Sequence, residues 1–115
     1  MEARAIRRWS AALNRGHFER AASYFARGAV VEQQAEVRLP DRAAAIAFNR
    51  SLPCRADVTD VKRRGATVVA AFRLRSGRAG SGGCSGAARV RFRFSGGKFA
   101  EWRQLAEPAA DGEIA

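Results

Sequence analysis

The chain has 115 residues, 47% of them hydrophobic, and 21 Lys+Arg against 11 Asp+Glu, for a formal net charge of +10 at pH 7. Two domains would each be too short to bury a core, the apolar fraction is too high for a disordered chain, and two cysteines cannot build a disulfide scaffold. The charge is almost all arginine, 19 Arg against 2 Lys, beside 25 Ala and 11 Gly. Such a bias is what GC-rich codons leave at tolerant surface positions, so basicity alone does not make nucleic acid the expected partner.

In chain order, residues 3–14 place Ile6, Trp9 and Leu13 on one side and Arg4, Arg7 and Arg8 mostly on others. This spacing predicts an amphipathic helix, stopped at Asn14-Arg15-Gly16. Because its apolar positions recur every three or four residues, the segment is no signal peptide, and no run approaches the roughly 18 apolar residues of a membrane span. The expected location is the cytoplasm, with no membrane partner. A second helix is expected over residues 17–25, carrying Phe18, Ala21, Ala22 and Phe25 and closed by Gly28, followed by a short strand at 29–31. A third begins at Asp41, an N-cap after Pro40, and runs to about Leu52 before Pro53 ends it. The period then changes from 3.6 to 2. Strands at 56–63 and 66–75 are joined at Arg64-Gly65, and strands at 87–94 and 98–105 at Ser95-Gly96-Gly97. Between the pairs, SGRAGSGGCSG reads as a mobile loop, and residues 107–115 read as an acidic, frayed tail behind a domain spanning 1–106.

This order makes an α+β protein, with three N-terminal helices packed on the concave face of a curved antiparallel sheet. Alternation turns Val68, Ala70, Phe72 and Leu74, and likewise Ala88, Val90, Phe92 and Phe94, toward the helices. The same alternation turns Arg89, Arg91 and Arg93 outward, joined by Arg73, Arg75 and Arg103 on neighbouring strands. That cluster is either a solvated face covered by arginine stems or a site for an anionic partner, and its like charges oppose a close two-fold contact. Glu101 is expected to pair with Arg91 across the strands, and Asp57 and Asp60 with strand arginines. Cys54 begins the first meander strand and Cys84 the third. Across a full middle strand they would stand about 10 Å apart, so two free thiols are the default. A Cys54–Cys84 disulfide requires the middle strand to end early, which residues 76–83 permit. One histidine and two distant cysteines give no metal-ligand spacing, and no cofactor motif is present.

The stretch AIRRWSAALNRGHFERAASYFARGAVVEQ resembles the opening of the nuclear transport factor two-like (SnoaL-like) superfamily, and VRFRFSGGKFAEWRQL resembles its last two strands; together they cover about residues 3–106. The resemblance implies a cystatin-like, cone-shaped half-barrel with an apolar pocket, and an outer sheet face that often forms a homodimer. It leaves activity open, because the superfamily includes ketosteroid isomerases, polyketide cyclases, dehydratases, epoxide hydrolases and non-enzymatic binding modules. The isomerase donor tyrosine, base aspartate and donor aspartic acid fall on Trp9, Gln33 and Val90. None of the three can do the original chemistry, so no catalytic residue is assigned. His17 occupies a helix-cap position where the superfamily often has Asp, and is given a structural role. The expected pocket comprises Trp9, Tyr24, Gln33, Phe48, Phe72, Val90, Phe92, Trp102 and Gln104, which either surround a cavity or fill it. Such a set suits binding of a small, largely apolar molecule better than proton transfer. An enzyme of the cyclase, dehydratase or hydrolase type, or an interaction module using the arginine face, are the alternatives.

Overall fold

The structure, a computed structural model, describes residues 2–77 and 84–106. Residues 78–83, within the Gly-rich stretch read as a loop, and the tail 107–115 lie outside the described residues. The elements are α1 (Glu2–Asn14), α2 (Phe18–Ala22), β1 (Phe25–Glu32), β2 (Glu36–Leu39), α3 (Arg42–Ser51), β3 (Arg55–Arg64), β4 (Thr67–Arg75), β5 (Ala87–Ser95) and β6 (Lys98–Leu105). All six strands form one sheet in the order β2-β1-β6-β5-β4-β3. Its ends do not meet, and the fold is the α+β class expected from the sequence. The sheet is mixed rather than wholly antiparallel, because β1 runs parallel to β6.

Two elements depart from expectation in the N-terminal half. The apolar positions Phe18, Ala21, Ala22 and Phe25 fit one helical face, yet α2 stops at Ala22 and Phe25 opens β1. Backbone capture explains the change: the Ser23 hydroxyl donates to the Arg20 carbonyl at 2.5 Å, and the Phe99 N–H of β6 takes the Tyr24 carbonyl at 2.8 Å. Gly28 does not close a helix. It sits inside β1 at φ +80°, where the pairing with β6 shifts register, a bulge only glycine takes without strain. Strand β2 was not foreseen, since in Glu-Val-Arg-Leu only Leu39 is buried and no alternation stands out. The third helix starts as predicted, with Asp41 Oδ1 accepting the Ala44 N–H at 2.9 Å.

Helix α1 is fixed to the sheet edge by polar groups as well as by its apolar stripe. Asn14 accepts the Ala56 N–H at 2.8 Å and donates to the Ala56 carbonyl and to Asp57 Oδ1, both at 3.1 Å, and Ser10 also donates to the Ala56 carbonyl. The residue read as a helix stop is therefore a clamp that satisfies the edge of β3. Two further bulges, at Val58/Asp60 in β3 and at Arg93/Phe94 in the β5–β6 pairing, bend the sheet around the helices. Past the second of them Glu101 stands opposite Arg93, and Arg91 opposite Arg103, so the expected Glu101–Arg91 pair gives way to Glu101–Arg93 at 3.3 Å.

The two cysteines form a disulfide, with their Cα atoms 5.5 Å apart, and the default of two free thiols is overturned. The reason is the early end of the middle strand. Arg55↔Arg75 is the last β3–β4 pair, and Leu74 bonds the Gly86 carbonyl just before β5, so no strand stands between Cys54 and Cys84.

Candidate functional site

The side chains on the concave face change size along the strands, and this gradient decides where space is left. On β5 the inward residues run Ala88, Val90, Phe92, Phe94, from small to large. At the large end, Phe92, Phe94 and Phe99 pack with centroids 4.7–6.4 Å apart, and Tyr24 stacks on Phe99. At the small end, Ala88 faces Phe72 across the β4–β5 pair and Leu74 faces Ala56 across β3–β4. Trp9 divides the two regions, in edge-to-face contact with Phe25, Phe72, Phe92, Phe99 and Trp102 at 6.0–6.3 Å.

Beyond Trp9, at the small end, lies a cavity of about 140 Å³. Six of the nine residues proposed from sequence line it: Trp9, Gln33, Phe72, Val90, Trp102 and Gln104. They include all three positions matched to the isomerase catalytic set, so the fold brings those positions together although their functional groups differ. Tyr24 and Phe92 do not line it, being packed into the filled end of the cone. Phe48 borders instead a neighbouring surface groove, with its ring edge-on to Trp102 at 5.0 Å. The remaining wall consists of Leu52, Pro53, Cys54, Ala56, Leu74 and Ala88. Strand alternation already placed Leu74 and Ala88 inward; Leu52, Pro53 and Cys54 come from a connection with no periodic signal.

This connection is held from two sides. The disulfide ties Cys54 to Cys84, and the backbone of Gly77 passes so closely that a Cβ there would lie 2.1 Å from the Pro53 carbonyl oxygen.

The polar groups of the cavity are few, and two of its four hydrogen-bonding side chains are paired with each other. Gln33 Nε2 donates to Gln104 Oε1 at 3.3 Å, and both residues are exposed at the rim. Trp9 has no free donor, because its indole N–H bonds Oδ1 of Asn49 at 2.8 Å, and Asn49, fully buried on α3, in turn donates to the Ala45 carbonyl. Sequence reading missed Asn49, since an Asn inside a helix carries no pattern of its own. Trp102 differs. It is 3% exposed and its indole N–H has no partner among the described residues. A buried donor left unpaired costs about 1–3 kcal/mol, so an acceptor, solvent or ligand, belongs beside it. No cavity-lining side chain has a free titratable group, since Cys54 is in the disulfide. His17 lies elsewhere, exposed at the N-cap of α2, and its side chain makes no capping bond.

On the outer face, the six arginines are not equivalent. Arg103 is held by three carboxylates, Glu32 at 2.8 Å, Glu36 at 2.5 Å and Glu101 at 2.9 Å. Arg75 pairs with Asp57 at 2.5 Å, Arg93 with Glu101, and Arg89 donates to the Ala106 carbonyl at 3.1 Å. Arg73 and Arg91 have no ion pair among the described residues. Asp60 pairs with Lys62 rather than with a strand arginine. No described helix is long and apolar enough to cross a membrane.

A family profile described as SnoaL-like domain matches residues 6–102. Among solved structures, Bal32a from a soil-derived mobile gene cassette superposes with a TM-score of 0.74 at 18% identity, over 90% of this chain and 87% of that one. An uncharacterised cystatin-fold protein from Novosphingobium aromaticivorans gives 0.72 at 14% identity, over 92% and 98%. A nuclear transport factor 2-like protein of unknown function from Cytophaga hutchinsonii gives 0.74 at 12%, over 94% and 91%. No curated protein matches. At these identities the likeness is one of fold.

Proposed function

The chain belongs to the SnoaL-like domain family, and we propose that it binds a small, largely apolar molecule carrying one hydrogen-bond acceptor, in the cavity beside Trp102. The observation that carries this reading is the Trp102 indole N–H: a buried donor without a partner, on a side chain that lines an otherwise apolar space. A volume near 140 Å³ suits a single ring with a carbonyl, and lies well below the roughly 300 Å³ at which drug-sized pockets begin. Binding is favoured over catalysis because the lining offers indole and amide groups and no free acid or base, whereas proton transfer needs a group that titrates near the working pH. A ligand whose carbonyl accepts the Trp102 N–H gains a bond without desolvating that donor further.

The test is a calorimetric titration with acetophenone. The parent protein should bind it, and Trp102→Phe, which keeps the aromatic body and removes the donor, should weaken binding about 3- to 10-fold, the equivalent of about 0.5–1.5 kcal/mol. Equal affinities for the two proteins would overturn the assignment.

A further inference from the structure

The cavity is too small to hold more than one ring, yet it is not isolated. Next to it, a groove of about 1080 Å³ runs along the surface between β2 and α3, and Gln33 and Gln104 line both spaces. Phe48, on the groove side, touches Trp102, on the cavity side, so the partition is one aromatic contact and one amide pair thick.

The groove is lined mainly by apolar side chains, Val31, Val37 and Leu39 from the β1–β2 hairpin and Ala44, Ala47 and Phe48 from α3, with Gln34, Ser51 and Arg38 as its polar members, and the Arg38 guanidinium donates to the Gly28 carbonyl at 2.9 Å. Val37 is 53% exposed and is the exposed large hydrophobic side chain among the described residues. Alanines on the facing helix leave the groove unfilled. Along one path the molecule thus presents an apolar hole, a polar gate of two amides, and an apolar trough. The Gln33–Gln104 bond uses one donor and one acceptor, which leaves amide N–H and C=O capacity at the gate.

Deepening the cavity reading above, and resting on it, we propose that the ligand is an elongated neutral molecule with a carbonyl linkage, an ester or an amide, near its middle. Its ring fills the cavity, its linkage carbonyl accepts the Trp102 N–H, the rest of the linkage passes between Gln33 and Gln104, and its aliphatic tail lies in the groove over Val37 and Ala47. The balance of residues fits this class: an apolar tail gains about fourfold in affinity per fully buried methylene and less where one side stays wet, whereas a charged linkage would find no counter-charge at the amide pair.

The test uses N-methyl-, N-butyl- and N-octylbenzamide with the parent protein and with Val37→Asp and Ala47→Asp, two substitutions at exposed positions that leave the core untouched. In the parent protein, affinity should rise about twofold per methylene up to the butyl compound. Both variants should bind N-methylbenzamide as the parent does and lose most of the rise with chain length. A flat series in the parent, or the same slope in both variants, overturns the groove assignment while the cavity reading stands. Failure of N-methylbenzamide itself to bind overturns both.

Discussion

Two tryptophans, a few ångströms apart, have been given opposite tasks by their neighbours. Trp9 is the packing centre of the core, and Asn49 satisfies its N–H, so nothing is left over for a ligand. Trp102 has a comparable burial and no acceptor. The difference rests on one α3 side chain, and it predicts the effect of removing that side chain. Asn49→Ala leaves the Trp9 donor buried and unpaired and opens space beside it, so unfolding in urea should show a loss of about 2–4 kcal/mol. A loss under about 1 kcal/mol would mean that the Trp9–Asn49 bond does not hold α1 to α3 in this way.

At the scale of elements, the outer face shows how strands manage a charge that composition suggested would be unopposed. Arg103 on β6 gathers Glu101 from its own strand, Glu32 from β1 and Glu36 from β2, joining three neighbouring strands through one guanidinium. The hydrogen bond from Arg103 holds the Glu101 carboxyl below its ordinary value of 4.5, with the Arg103, Arg93 and Arg91 charges adding to the effect. A carboxyl with a lowered pKa stabilises the native state fully above its unfolded value and loses that contribution as pH falls through the folded one. Stability should therefore fall below pH 4.5, and Glu101→Gln should flatten that acid limb when unfolding is followed from pH 6 to pH 3; an unchanged slope would contradict the pairing. Asp57, lowered chiefly by its hydrogen bond from Arg75, titrates in the same direction and remains in the variant. Alternation in the sequence was enough to place these arginines outward and Ala88, Val90 and Phe92 inward, because a half-buried strand has a strict period of two. It could not place the bulge at Arg93/Phe94: a regular ladder running from Ser95↔Lys98 would set Glu101 opposite Phe92, and the extra residue sets it opposite Arg93. Helix α2 and β1 were misjudged for a related reason. Phe25 satisfies a helical spacing and a strand spacing equally, and only the capture of the Tyr24 carbonyl by β6, 75 residues along the chain, decides between them.

For the whole molecule, the disulfide forms part of the cavity wall, and the arginine cluster lies apart from both on the outer face of the sheet. Six of the 21 Lys and Arg residues lie on the outer face of the sheet, where acids on β1, β2, β3 and β6 meet several of them, and any two-fold contact through that face has Arg73 and Arg91 left to accommodate. The disulfide joins residues 30 apart in the sequence. A loop of that length predicts a loss of about 3–4 kcal/mol in the Cys54→Ser/Cys84→Ser double variant, read from urea unfolding under non-reducing conditions; a stability equal to the parent's would show that the bond constrains nothing. Such bonds persist in oxidising surroundings and are opened by reducing ones, so the part of the cavity wall at Cys54 depends on the redox state around the protein. The proposed ligand contact is the unpaired indole N–H of Trp102. The chain has two tryptophans, hence two indole N–H signals in a ¹H–¹⁵N correlation spectrum, which Trp102→Phe assigns. On addition of acetophenone the Trp102 signal should move progressively downfield and saturate while the Trp9 signal, held by Asn49, stays in place; a Trp102 signal that does not respond, or one that moves no more than Trp9, would contradict the account.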